Sequence, residues 1–441
     1  MAQSDEAAQF SLKIGKKMQF SRSFTISDVR SASHFEVALI SLALISLPLF
    51  EAPKNLFSLL FLFVWIAQAI KCKSTGETCA LNWPMWGLAA VLWVSPLISA
   101  YGDTITLLNS APRWTLLALF VIAAARLNYT KAQLSIIWAA IMLGGAIAVT
   151  ESFWVWHLNG KPYPEFRSVG HVNHSSMYTL IPLAAGLGAL YARERWLQIL
   201  GLIAIVSSLA FLPPSRSLVG GVAITALLIS ALCIVAVRQW SFRGLILSTL
   251  AGLAVVAAVL MTPLAEDFRA ELVGRVTGDD LFSGRDKILN SALAVWDQHP
   301  LIGTGWFSFG TATSEAVVRA ALEAEGVEYD PNVYWHFPHG HNLWTTMLIE
   351  RGLLGVALVT ILLFLYFRTF LPIALSREQL EPFDRGAAVA ALLVAVGFAV
   401  AGLGNTTMMN EHGHAGMAFI AVAYGYLRGR GIIHLSQRKS Q

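Results

Sequence analysis

Charge is what this chain has least of. Asp, Glu, Lys and Arg make up 13% of its 441 residues, while 56% are hydrophobic. Soluble globular chains carry about 25% charged residues. So little charge cannot coat a water-soluble body of this length, and the high apolar share excludes a disordered or fibrous chain. A concentrated basic face is missing too. The formal net charge is +4, and the excess is scattered between apolar blocks, which argues against a nucleic-acid partner. Cysteine is nearly absent, with Cys72, Cys79 and Cys233 as the full set. Three cysteines make no disulfide framework, and the spacing of Cys72 and Cys79 is not a usual zinc pattern. No internal repeat stands out. What remains is an all-α polytopic membrane protein.

Apolar runs of about 20 residues are long enough to span a bilayer. Reading them off gives about twelve spans. Residues 1–35 form a polar, basic N-terminal segment, too long and too polar to be an ordinary cleaved signal. Transmembrane helices 1–9 are expected within 36–262 and helices 10–12 within 342–427, with 428–441 as a tail. Lys and Arg concentrate in alternate loops and at both ends, for example at Lys71/Lys73, Arg193/Arg195 and Arg428/Arg430. By the positive-inside rule both termini are then cytoplasmic.

One segment breaks the rhythm. Residues 263–341 contain no span, and a connection of that length is usually functional. The expectation is an ordered outer domain capping a cavity. Within it, 284–297 places Ile288, Ala292 and Val295 at helical spacing, and Gly303-Thr304-Gly305 reads as a turn.

Residues able to do chemistry gather on the same side. Arg216 follows Pro213-Pro214 at the start of a span, where a guanidinium either anchors to headgroups or grips phosphate with its bidentate fork. Arg285 sits near a helix start, a natural anion site, with a surface ion pair to Asp286 as the plainer reading. Asp279-Asp280 is weak evidence for a cation. Nine histidines face outward, among them His171, His174, His339, His341, His412 and His414. The run Trp335-His336-Phe337-Pro338-His339-Gly340-His341-Asn342 leads into an apolar helix. It lacks the i, i+4 pairing of zinc hydrolases. A neutral imidazole there can instead take a proton from an attacking hydroxyl, and interfacial anchoring is the plainer alternative. His171-Val172-Asn173-His174 is a further polar patch, where Asn173 and His174 serve either a ligand or a helix cap. No ionisable residue is expected in the middle of a span, which argues against a transporter.

The sequence resembles the O-antigen ligase/polymerase superfamily at three places in order. Ser215-Arg216-Ser217 resembles its Ser-Arg motif. Gly284-Arg285 followed by His299-Pro300-Leu301-Ile302-Gly303-Thr304-Gly305 resembles its Gly-Arg…His-Pro-Leu-x-Gly-x-Gly stretch. His341-Asn342, then Glu350, Gly352 and Gly355, resembles its His-Asn…Glu-x-Gly-x-x-Gly signature. Gly170-His171-Val172-Asn173-His174 differs from the family's asparagine-rich Pro-x-Asn patch.

The resemblance implies a GT-C-like fold in the bacterial inner membrane, with the active site at the periplasmic face. It implies an inverting transfer needing no metal and no cofactor. The donor would be an undecaprenyl-pyrophosphate-linked glycan and the acceptor lipid A-core, both in contact with membrane lipids. O-antigen polymerase and protein O-oligosaccharyltransferase are the related alternatives, and a multispan transporter the unrelated one. His341 is then the base and Arg216 and Arg285 hold the pyrophosphate. His339, His171, Asn173, His174 and Asn342 are candidates for substrate contact.

Overall fold

A computed structural model describes residues 30–98, 104–238, 242–278, 284–376, 379–408 and 410–433. These form an all-α chain, with a single isolated bridge between Ser31 and Asn128 and no strand among the described residues. In chain order the helices are α1 (His34–Ser46), α2 (Glu51–Cys72), α3 (Asn82–Ile98), α4 (Thr104–Arg126), α5 (Lys131–Asn159), α6 (Val172–Ala192), α7 (Arg195–Ser215), α8 (Leu218–Arg238) and α9 (Phe242–Leu260). Then come the short α10 (Glu266–Thr277), α11 (Arg285–Trp296), α12 (Phe309–Ala312) and α13 (Glu315–Ala324). The long α14 (Leu343–Leu375), α15 (Pro382–Ala401) and α16 (Asn410–Gly429) close the chain.

A helix overlaps each of the twelve apolar runs. Six of these helices, α2, α5, α7, α8, α14 and α15, are long and apolar enough to cross a membrane.

Small residues let the helices touch. A Cβ on Gly188 of α6 would lie 2.7 Å from the Gly386 carbonyl oxygen of α15, and one on Gly186 would lie 2.6 Å from the Gly201 oxygen of α7. Such backbone proximity is how helices pack where lipid removes the hydrophobic drive between them. Helix starts follow local chemistry: Ser33 with Glu36, and Thr130 with Gln133, close capping boxes on α1 and α5.

Between α9 and α14 a second, smaller core forms. Ile288, Ala292 and Val295 of α11 are buried as their spacing predicts, against Phe309, Val318 and Leu322, and Ile349 of α14 supplies the floor.

The joint between this subdomain and the bundle is at Gly352. There α14 leaves helical geometry (φ 61°, ψ −165°), and the loop before α12 replaces the missing helical bonds. Thr304 N–H donates to Ile349 O (2.8 Å) and Gly305 N–H to Glu350 O (3.0 Å). Leu353 N–H donates to Pro300 O (2.8 Å) and Leu354 N–H to Leu301 O (3.0 Å). Both partners need glycine. A Cβ on Gly352 would fall 2.4 Å from the Leu301 carbonyl carbon, and one on Gly303 (φ 69°) 2.3 Å from the Arg351 nitrogen. The two spaced-glycine motifs are thus halves of one joint.

The expectation of no charge inside a span is corrected here. Glu350 and Arg351 are buried in α14. Glu350 accepts backbone N–H groups of Phe307 and Phe309. The Arg351 guanidinium lies between two indoles, 4.6 Å from the Trp114 ring centre and 4.7 Å from that of Trp306. None of its three nitrogens has a hydrogen-bond partner among the described residues. Attraction to the two ring faces offsets part of the burial penalty.

Candidate active site

Five histidines from three distant stretches meet at the end of the bundle where α14 begins. His171 and His174 come from the start of α6, His339 and His341 from the chain entering α14, and His412 from the first turn of α16. His339 and His341 have ring centres 4.1 Å apart. His174 lies 5.8 Å from His171, 5.5 Å from His412 and 6.5 Å from His339.

Residues two apart in extended chain share a face, which suits the approach of His339 to His341. His341 itself adopts a left-handed backbone (φ 46°). A strained, non-glycine residue at the centre of a polar cluster is where function is to be sought.

The rest of the outward histidines lie elsewhere. His336 Nδ1 faces the Thr313 carbonyl (3.3 Å), and His414 packs on Phe120 (4.8 Å).

The start of α14 is fixed from several sides. Asn342 is its N-cap, its Oδ1 accepting Trp344 N–H (2.8 Å) and Thr345 N–H (3.2 Å), while its Nδ2 donates to Leu403 O (2.8 Å). Leu343 N–H adds a bond to Gly402 O (2.9 Å). The Asn342 amide therefore serves the fold, and His341 stands one residue ahead of the helix. On α6 the cap is His171, whose Nδ1 accepts from Asn173 N–H (3.2 Å), so neither Asn173 nor His174 fills that role. Asn410 Nδ2 approaches His174 Nδ1 (3.4 Å).

Burial pushes the His341 imidazole down to about 3, helped by neighbouring His339, Arg285 and His171. Burial and His171 lower His339 as well. Both rings are therefore neutral near pH 7. Nδ1 of His341 is buried without a hydrogen-bond partner among the described residues.

Arg285 opens α11, with Nε donating to Gly404 O (3.2 Å). Its charge reaches His341. Gly404 in turn leans on Val219 in the first turn of α8, just after Arg216. Arg216 ends α7 in a left-handed turn (φ 51°), pairs with Asp267 of α10, and lies 5.4 Å from the Tyr163 ring centre. Arg285 therefore lies on the side of the histidines, while the Arg216 side chain is turned to Asp267 and Tyr163.

Asp279 and Asp280 lie outside the described residues. Among the described residues no group of three or more His, Cys, Asp or Glu is arranged to hold a metal ion. The three cysteines are free.

The sequence reading named every histidine of the cluster and both arginines. It passed over Phe337, whose ring lies 4.5 Å from that of His341 and 5.2 Å from that of His339. Its place between two histidines was the available signal.

The arrangement offers a neutral base beside a fixed cation at the mouth of an apolar bundle. No curated protein matches the chain. Residues 178–360 match the family model described as O-antigen ligase, the stretch that runs from α6 through both arginines and the joint to α14, and this match supports the O-antigen ligase superfamily.

Proposed function

We propose that the protein is an inverting glycosyltransferase of the bacterial inner membrane that moves O-antigen polysaccharide from undecaprenyl pyrophosphate onto a sugar hydroxyl of lipid A-core. The observation that carries this reading is His341, set in the histidine cluster and held neutral by its burial, with the Arg285 guanidinium close by. About twelve spans in a GT-C-like arrangement, both termini in the cytoplasm and residues 263–341 in the periplasm complete the picture.

In the reaction, Nε2 of His341 takes the proton of the acceptor hydroxyl as its oxygen bonds to the anomeric carbon. General-base help of this kind contributes about 10²–10⁴-fold. The bond from the anomeric carbon to the pyrophosphate oxygen breaks on the opposite face, which inverts the centre. Arg285 and Arg216 stabilise the charge gathering on the leaving pyrophosphate. Losing one such donor costs about 3 kcal/mol. The reading routes no step through a metal or cofactor.

Buried Glu350 and Arg351 do not favour a transporter, because they are locked into the joint and the remaining polar groups converge at one end of the bundle. The test is lipopolysaccharide banding in a host lacking this protein. Bare core without a ladder supports the ligase. Core with a single repeat makes the protein a polymerase, and an intact ladder removes both.

A further inference from the structure

We propose that the exposed indole of Trp335 is the stacking platform for the sugar joined to the donor pyrophosphate. The proposal rests on the donor reading above and names the part of the site that recognises the glycan.

Three observations converge on this ring. First, it is fixed. The Trp335 amide donates to Ser291 Oγ (2.9 Å), and Asn290 Nδ2 donates to the nearby Val333 carbonyl (3.1 Å), so the segment carrying the indole is tied to α11. Second, it is placed beside the cation. The indole lies against Gly284, where a Cβ would come within 2.0 Å of Cζ3 and 2.2 Å of Cε3, and Gly284 has φ 69°. Gly284 immediately precedes Arg285. Glycine is needed there for the close approach of this ring as well as for its backbone. Third, it is joined to the base. Trp335 meets Phe337 edge-on at 6.2 Å, and Phe337 packs on His341.

Despite this anchoring the side chain is 45% exposed. An anchored indole that is packed along its Cε3–Cζ3 edge and nearly half exposed, set between a pyrophosphate-binding guanidinium and a base, has the form of a binding surface. The π-face carries partial negative charge. The C–H groups on one face of a pyranose carry partial positive charge and pack on such a ring. A sugar one bond from a phosphate held by Arg285 lies within reach of a ring packed on the preceding residue. Stacking reads the C–H face and not the pattern of hydroxyls, so the platform would accept sugars of differing identity.

The experiment uses purified full-length protein in lipid nanodiscs and two probes: undecaprenyl pyrophosphate, and the same molecule carrying one sugar. Trp335→Ala should weaken binding of the sugar-bearing probe about 10-fold and leave the bare probe within about twofold of wild type. Trp335→Phe keeps a ring face and should restore most of the lost affinity. Equal loss of both probes would overturn the proposal, because Trp335 would then act only by holding Arg285. Unchanged binding of both would make it an interfacial aromatic anchor. A phenylalanine variant as weak as alanine would exclude stacking. Wild-type protein that binds neither probe fails the donor reading and the platform with it, whereas one that binds both equally fails the platform alone.

Discussion

The first turns of α14 hold two polar assemblies of opposite character, about two turns apart. At the N-cap end, His341 and His339 are half-buried and mutually close, and His341 Nδ1 has no hydrogen-bond partner among the described residues. Further along, Glu350 and Arg351 are fully enclosed, one by backbone N–H groups and the other by two indoles. Polar groups left open at a surface are available to a ligand. Polar groups sealed inside a joint fix geometry, because every alternative arrangement would strand a buried donor or charge. On the proposed function, chemistry belongs to the upper assembly and positioning to the lower one.

The largest effect should come from breaking the joint. Gly352→Ala forces a Cβ into the Leu301 carbonyl and holds an alanine at φ 61°. Backbone strain and overpacking together should cost about 2–6 kcal/mol. We expect little folded protein in membranes, and a strong fall in melting temperature for what is recovered. Normal yield and stability would mean that the loop at 299–305 is not needed to brace α14.

Next comes the upper assembly. His341→Ala should give a folded protein with transfer reduced by about 10²-fold or more. His339→Ala should lose less, as a neighbour of the base. Transfer of labelled glycan from undecaprenyl pyrophosphate to acceptor measures both. Near-normal turnover by His341→Ala would remove it as the base and pass the role to another imidazole of the cluster.

Much of this was legible in the sequence. Apolar runs located the helices, and the period of Ile288, Ala292 and Val295 located the face of α11, since both signals are local. Nine outward histidines were visible, but which five converge depends on how α6, α14 and α16 pack, and that is tertiary. The left-handed turn at His341 has no sequence signal, because histidine does not announce a positive φ as glycine does. Arg351 was hidden for a different reason. Its ring partners Trp114 and Trp306 are far away in sequence, and the acid whose charge it feels, Glu350, is its immediate neighbour and not at an i±3 or i±4 spacing.

A smaller effect is expected at the sealed arginine. Arg351→Met keeps an unbranched chain between the two rings while removing the charge. Loss of two cation–π contacts, about 0.5–2 kcal/mol each, and of the positive charge beside buried Glu350 is opposed by relief of a buried charge. The net change in stability should stay below about 3 kcal/mol, and transfer should stay within about fivefold of wild type. A fall as deep as that of His341→Ala would break the comparison, since Arg351 would then be part of the chemistry.

The smallest effect is a displacement along the pH axis. His341 sits well below the usual imidazole value because burial, His339, Arg285 and His171 all disfavour its charged form. A base with a lowered pKa stays unprotonated to lower pH, so the acidic limb of kcat/KM, which reports the free enzyme, should lie below about 6.5. His339→Gln removes one of the neighbouring positive charges but leaves burial, the largest cause, in place. The limb should therefore move upward yet remain below about 6.5. The same sign governs stability. With the folded-state value depressed, protonation favours the unfolded chain, so this group's contribution is present above about 6.5 and is lost as pH falls toward 3. Rates measured from about pH 4 to 8 decide the matter. A wild-type limb at or above 6.5 would show that His341 is solvated and ordinary, and a downward shift in His339→Gln would show that the second ring helps His341 hold a proton.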